Sequence, residues 1–210
     1  YEITYGDWSS DVCSSDLETV LLYHGYARSM MFWQAWMPLL VNDFCVLRFD
    51  ARGCGKTTQP PEGHVYSFEQ LANDAMGLMD KLGIARAHWV GESSGGIVGM
   101  TAALHHAQRL HTLTVCDTPF KRSSNIASTY TLGQPTRAAA FAKFGVGGWC
   151  RQTLSYRLDT SRSTPLMNEW YIAEMDKTPV HVANGMDRAV AAGVGSSGQG
   201  MGPAQYHVIW

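Results

Sequence analysis

Very little in this sequence favours a charged partner. Its 210 residues carry 16 Lys and Arg against 18 Asp and Glu, a formal net charge of -2, with no long run of either sign. That removes the electrostatic case for nucleic acid or an anionic membrane surface as a partner. Also missing is any apolar stretch near the roughly 18 residues that a transmembrane helix needs. The cysteines, Cys13, Cys45, Cys54, Cys116 and Cys150, are odd in number and never form a C-x-x-C pair. They read as scattered thiols of a reducing, cytoplasmic setting, not as a disulfide framework or a zinc site. Internal repeats are absent too. What the chain does have is 45% hydrophobic residues, enough for one domain of α/β or α+β type with a real core.

The two ends stand apart. Residues 1–17, YEITYGDWSSDVCSSDL, double the SSD triplet and lack a helical or clean strand period. They resemble translated sequencing-adapter read-through and are set aside as a non-native segment. The last stretch, GVGSSGQGMGPAQYHVIW, is rich in Gly, Ser and Gln until its final few residues. It reads as a loop followed by an unfinished strand, or as an out-of-frame tail.

Between the ends, strand and helix signals alternate. TVLLYHG and FCVLRFD are continuous apolar runs of the kind a buried parallel strand shows, with an aromatic-rich helix predicted between them around Phe32 to Val41. Ser67 and Gln70 form a capping-box pattern at the start of a helix that carries Leu71, Ala75, Leu78 and Leu82 and stops at Gly83. AHWVG, IVGMTAALHHA and LTVCDTP then read as strand, helix and strand. Such alternation predicts a mainly parallel sheet with helices on both faces, and ligands bind such sheets at the carboxyl ends of the strands.

One of those ends carries Gly91-Glu92-Ser93-Ser94-Gly95, a G-x-S-x-G sequence set between a strand and a helix. A turn this sharp strains the serine backbone and lifts its hydroxyl above the sheet, provided the neighbours are small. Gly91 and Gly95 supply the room, and the dipole of the following helix favours developing negative charge beside it. Ser93 is the candidate nucleophile, with the Ser94 N–H as one oxyanion donor. The competing reading is a plain helix N-cap serine. A second donor is expected from LLYHGY, where Gly25 permits a turn and the Tyr26 N–H can face the oxygen above Ser93. Two such donors matter, since losing one costs on the order of a hundredfold in rate. His24 precedes the serine and reads as a structural histidine pinning that loop.

Together, LLYHGY, FDARGCGKT, FEQLANDAMGLMDKLGIARAHWVGESSGG and LTVCDTP resemble the α/β-hydrolase family. FGVGGWCRQTLSYRLD and NEWYIAEMDKTPVHVANG look like the cap of its 3-oxoadipate enol-lactonase-like branch. The resemblance implies an α/β-hydrolase core over 18–119, a helical cap over 120–185, and an unassigned tail over 186–210. It implies Ser93 as nucleophile, the Tyr26 and Ser94 amides as oxyanion hole, and no metal or organic cofactor. A serine at this place argues against the dehalogenases and epoxide hydrolases of the fold, which use aspartate there.

GCGKTT at 53–58 imitates the end of a phosphate loop, but that motif needs glycine where this chain has Asp50. The stretch reads as a structural D-x-R-G-x-G-x-T loop. The base that a serine nucleophile needs is harder to find. His105 and His106 lie roughly 16 Å along the helix leaving the turn. His111 starts a strand at the wrong end of the sheet, and His181 falls in the cap. His207 has the right chain order but no preceding strand-and-acid unit; Asp117, after LTVC, is a weak candidate for the acid. The expectation is an internal piece of a longer serine hydrolase, itself inactive, that lacks its first hairpin, its catalytic histidine and its last two strand–helix units. Its substrate would be a small carboxylic ester or lactone. In the cap, Trp149, Tyr156, Met167, Trp170, Tyr171 and Met175 lie among Arg137, Arg151, Arg157 and Arg162. That composition suits core packing, or an apolar pocket roof for a substrate with a carboxylate. The alternatives are a carbon–carbon bond hydrolase, a cofactor-free haloperoxidase-like enzyme, or a non-catalytic binder with a hydrolase-like pocket.

Overall fold

The computed structural model describes residues 16–118, 124–192 and 205–209. The segment set aside at the start lies, but for Asp16 and Leu17, outside the described residues. Strand β1 (Thr19–Tyr23) is buried along its whole length. A 3-10 turn over Met30–Trp36 then runs into the single-turn helix α1 (Met37–Leu40), where one regular helix was expected. A carboxylate from beyond the next strand anchors the start of this segment: Asp50 Oδ1 accepts the Met30 N–H at 2.7 Å.

Strand β2 (Cys45–Arg48) and helix α2 (Phe68–Lys81) follow. Ser67 caps α2 by accepting the Gln70 N–H at 3.1 Å. The reciprocal half of the capping box does not form, because Gln70 Oε1 faces His64 Nε2 at 3.1 Å instead. Gly83 ends the helix at φ 70, as glycine does where a helix stops in the left-handed region. Strand β3 (Ala87–Glu92), helix α3 (Ser94–His105) and strand β4 (Leu110–Cys116) complete the alternating region.

Four helices then follow: α4 (Ser124–Thr131), α5 (Arg137–Gln152), α6 (Pro165–Asp176) and α7 (Val180–Ala192). Helix α7 runs past position 185, the expected end of the cap, into the stretch left unassigned. That tail also supplies a fifth strand, β5 (Gln205–Ile209). The unfinished strand read from the sequence therefore pairs: β5 lies parallel to β4, with Thr112 opposite Gln205 and Cys116 opposite Ile209.

All pairings are parallel, in the order β2-β1-β3-β4-β5. The chain reverses its direction of growth between β1 and β3, and such a switch point opens a crevice at the strands' carboxyl ends. One hydrophobic cluster joins Leu21, Trp89 and Leu113 of the sheet to Phe141, Trp149, Tyr171 and Val182 of the overlying helices. No helix among the described residues is long and apolar enough to cross a membrane. The expectation of free thiols throughout is corrected at one position. Cys45 is disulfide-bonded, whereas Cys54, Cys116 and Cys150 are free. An odd cysteine count excludes complete pairing but leaves room for a single bridge.

Candidate active site

The loops after β1 and β3 meet at the switch point. Ser93 sits at φ 53, ψ -120, a conformation that costs an L-residue about 1–3 kcal/mol and persists only when its surroundings enforce it. Its N–H donates to the Cys116 carbonyl at 2.9 Å, which ties the turn to the end of β4. Space does the rest. A Cβ on Gly91 would stand 2.3 Å from the Gly95 carbonyl oxygen, and one on Gly95 would stand 2.4 Å from that of Tyr23. Ser93 occupies the N-cap position of α3, yet its side chain makes no capping bond. The plain N-cap reading has no hydrogen bond to support it, and the hydroxyl is left to other work.

Ser94, 8% exposed, is the first residue of α3, so its N–H belongs to the unpaired, positive end of that helix. Across from it runs the loop Gly25–Ser29. A Cβ on Gly25 would lie 3.1 Å from Ser93 Cβ and 2.2 Å from Glu92 Oε2, so the loop backbone touches the serine turn directly. The loop is a tight turn closed by Arg28 N–H on the Gly25 carbonyl at 3.2 Å, with Ala27 at φ 52. Tyr26 is buried, and its ring faces Phe141 and Trp149.

His24 is fully engaged beneath this loop. Its Nε2 accepts the Ala51 N–H at 2.9 Å, so the proton of the neutral ring lies on Nδ1 and is donated to the Gly25 carbonyl at 2.9 Å. Burial holds its pKa below the ordinary imidazole value, in keeping with the neutral form. The pinning role expected for His24 thus has its geometry.

A half-buried ion pair borders the serine that no sequence signal announced. Arg28 Nη1 pairs with Glu92, and Arg28 Nη2 donates to Tyr171 Oη of α6. The guanidinium lies 5.2 Å from the ring centres of both Phe32 and Tyr171. Burial pushes the Glu92 carboxyl up, against the pull of Arg28. Burial also works against the Arg28 charge, but Glu92 and Tyr171 more than offset it.

The other candidates disperse. His106 bonds Asn73 beyond the far end of α3, which carries His105 as its last residue. His111 stacks on His88 at 5.0 Å near the amino ends of β3 and β4. His181 reaches the Pro60 carbonyl at 3.0 Å, and His64 faces Gln70. His207 lies within β5, opposite Thr114, and so precedes the strand's carboxyl end. Asp117 follows β4 at φ 44 and is exposed. The partners of His64, His106, His111 and His181 thus all lie away from Ser93 in the chain, at Gln70, Asn73, His88 and Pro60. In the cap, Trp149, Tyr171 and Met175 are buried packing, whereas Tyr156 and Met167 are exposed. Arg137 pairs with Asp187 and Arg151 with Glu169, while Arg157 lies 4.3 Å from the ring centre of Trp149. The phosphate-loop imitation is filled by its own carboxylate, since Asp50 Oδ2 accepts the Lys56 N–H at 2.9 Å.

Residues 18–168 match the sequence model of the alpha/beta hydrolase fold family. The chain belongs to that family. As an α/β hydrolase it is 38% identical over 98 residues to a Caulobacter segnis protein named as the carbamate hydrolase RutD, a match covering 47% of this chain and 37% of that one. It is also 38% identical over 101 residues to a fluoroacetate dehalogenase from a Burkholderia species, covering 47% and 33% of the two chains. The enol-lactonase of Burkholderia xenovorans superposes with a TM-score of 0.73 at 25% identity, over 85% of this chain and 66% of that one. The match thus spans little more than a third of the curated relatives' length.

Proposed function

We propose that this α/β hydrolase attacks carboxylic esters or lactones through Ser93. The observation that carries the reading is the strained Ser93 backbone, held without a capping bond where three close-packed glycines meet. In the reaction, a base takes the Ser93 proton while Oγ bonds to the carbonyl carbon. The negative charge that forms on the carbonyl oxygen is received by the Tyr26 and Ser94 amides. The carbon–oxygen bond to the leaving alcohol then breaks, the alcohol takes the proton, and water hydrolyses the acyl-enzyme by the same steps. Serine at this position also separates the chain from the dehalogenase it partly matches, if that relative follows the aspartate pattern of its branch.

The base belongs to a longer chain in this reading. Two facts support that: His207 lies inside β5, and the curated matches reach about a third of their proteins. The likeness to an enol-lactonase favours a small ester or lactone substrate.

The test uses the longest chain the gene encodes, beside its Ser93→Ala variant. Expected are fluorophosphonate labelling at Ser93 and hydrolysis of small nitrophenyl esters, both lost in the variant. Turnover that survives in the variant sinks the assignment. A folded parent that binds esters reversibly without labelling or turnover supports the non-catalytic binder instead.

A further inference from the structure

Every residue from Tyr26 to Ser29 is bonded to the α6–α7 pair. Tyr26 Oη donates to the Ala183 carbonyl at 2.7 Å. Thr178 Oγ1, between the two helices, donates to the Ala27 carbonyl at 3.2 Å. Arg28 donates to Tyr171 Oη, and Ser29 Oγ donates to Glu174 Oε2 at 3.0 Å. On its opposite side the same loop touches the nucleophile turn, through Gly25 against Ser93 and Arg28 against Glu92.

The middle of this loop is not in a conformation its own sequence prefers. A turn closed between Gly25 and Arg28 with φ 52 at its third residue favours glycine there, and the chain has Ala27. Released from its neighbours, the turn would relax toward the form with negative φ at both central residues, rotating Tyr26 with it. Ala27 has no exposed surface, so the forces that hold it come from the protein around it.

We propose that α6 and α7 form a fixed wall of the oxyanion hole, with Thr178 as the positioning residue that holds Ala27 left-handed and so aims the Tyr26 N–H at Ser93. This rests on the serine-hydrolase reading above. The two helices are then part of the charge-stabilising machinery and not a lid that swings away, because lifting them would break the contacts of four successive loop residues at once. Thr178 suits this role, being 2% exposed with a hydroxyl that also meets the buried Cys54 thiol.

The variants are Thr178→Val, which keeps the shape and deletes the donor, and Thr178→Ser, which keeps the donor. Tyr171→Phe, which removes the Arg28–Tyr171 bond and leaves Arg28 paired with Glu92, is a second perturbation should valine fail to fold. The first readout is amide hydrogen exchange of residues 25–29 in the 210-residue chain, referenced to the serine turn; it needs no catalysis. Loss of one hydrogen bond predicts exchange faster by about fivefold to tenfold in Thr178→Val and Tyr171→Phe, with Thr178→Ser near the parent. The second readout is ester turnover in the longest chain the gene encodes. There kcat should fall roughly tenfold or more in Thr178→Val while KM stays within about twofold, with rescue by serine, as expected when an oxyanion donor is misaimed. Unchanged exchange overturns the proposal, as does faster exchange with kcat intact. If the parent itself neither labels nor turns over, the serine-hydrolase reading has failed, and the exchange result still decides whether Thr178 holds the loop.

Discussion

His24 shows how a single side chain can tie the stability of this protein to pH. Its ring is buried, neutral and bonded on both nitrogens, and burial keeps its pKa below the unfolded value of about 6.5. Between those two values the unfolded chain binds the proton and the folded one does not, so stability rises with pH through the window. The contribution is complete above about pH 6.5 and is lost as pH falls below it. Urea unfolding at about pH 5.5 and 7.5, either side of that value, should show this loss in the parent and a smaller one in His24→Asn, which has nothing to titrate. At the same scale, the serine turn was legible because glycine spacing encodes physical room. The Arg28–Glu92–Tyr171 contact was not, since its hydroxyl and guanidinium lie 143 residues apart in the chain. Neither residue type nor local pattern marks such a meeting.

At the scale of elements, the regular pieces followed from their periods. Helix α2 begins at its predicted serine cap and ends before its predicted glycine, while β3 and β4 cover the apolar runs assigned to them. The Ser67 cap is the one local bond at that terminus for which a typical worth is known. Ser67→Ala should destabilise the protein by about 1 kcal/mol, visible as a lower urea midpoint at unchanged slope. The segment from Met30 to Leu40 is helical where a helix was expected, but most of it is 3-10, and its first N–H is tied by Asp50, a tertiary anchor that aromatic spacing does not reveal. Strand β5 was half seen. Its apolar residues are few and follow a glycine-rich stretch, so only pairing with β4 fixes it as a strand.

For the whole molecule, the sheet and the helices that follow β4 share one apolar cluster. Trp89 in the sheet and Trp149 in α5 are both nearly inaccessible and belong to the same apolar cluster. A shared core predicts a shared transition. Unfolding followed by far-ultraviolet circular dichroism should coincide with that followed by tryptophan fluorescence, and proteolysis should not release α4 to α7 as a separate stable piece. Two displaced transitions would show that the helices fold as a unit of their own.

The backbone of Ser93 has a consequence for anyone who would improve this protein. Glycine accepts φ 53 freely, so Ser93→Gly releases about 1–3 kcal/mol of strain against roughly 0.5–1 kcal/mol of added chain entropy. A library screened by heat alone would therefore enrich this silent mutant, in which durability has been gained by discarding the proposed nucleophile. Thermal selection on this scaffold should be paired at every round with a screen for turnover.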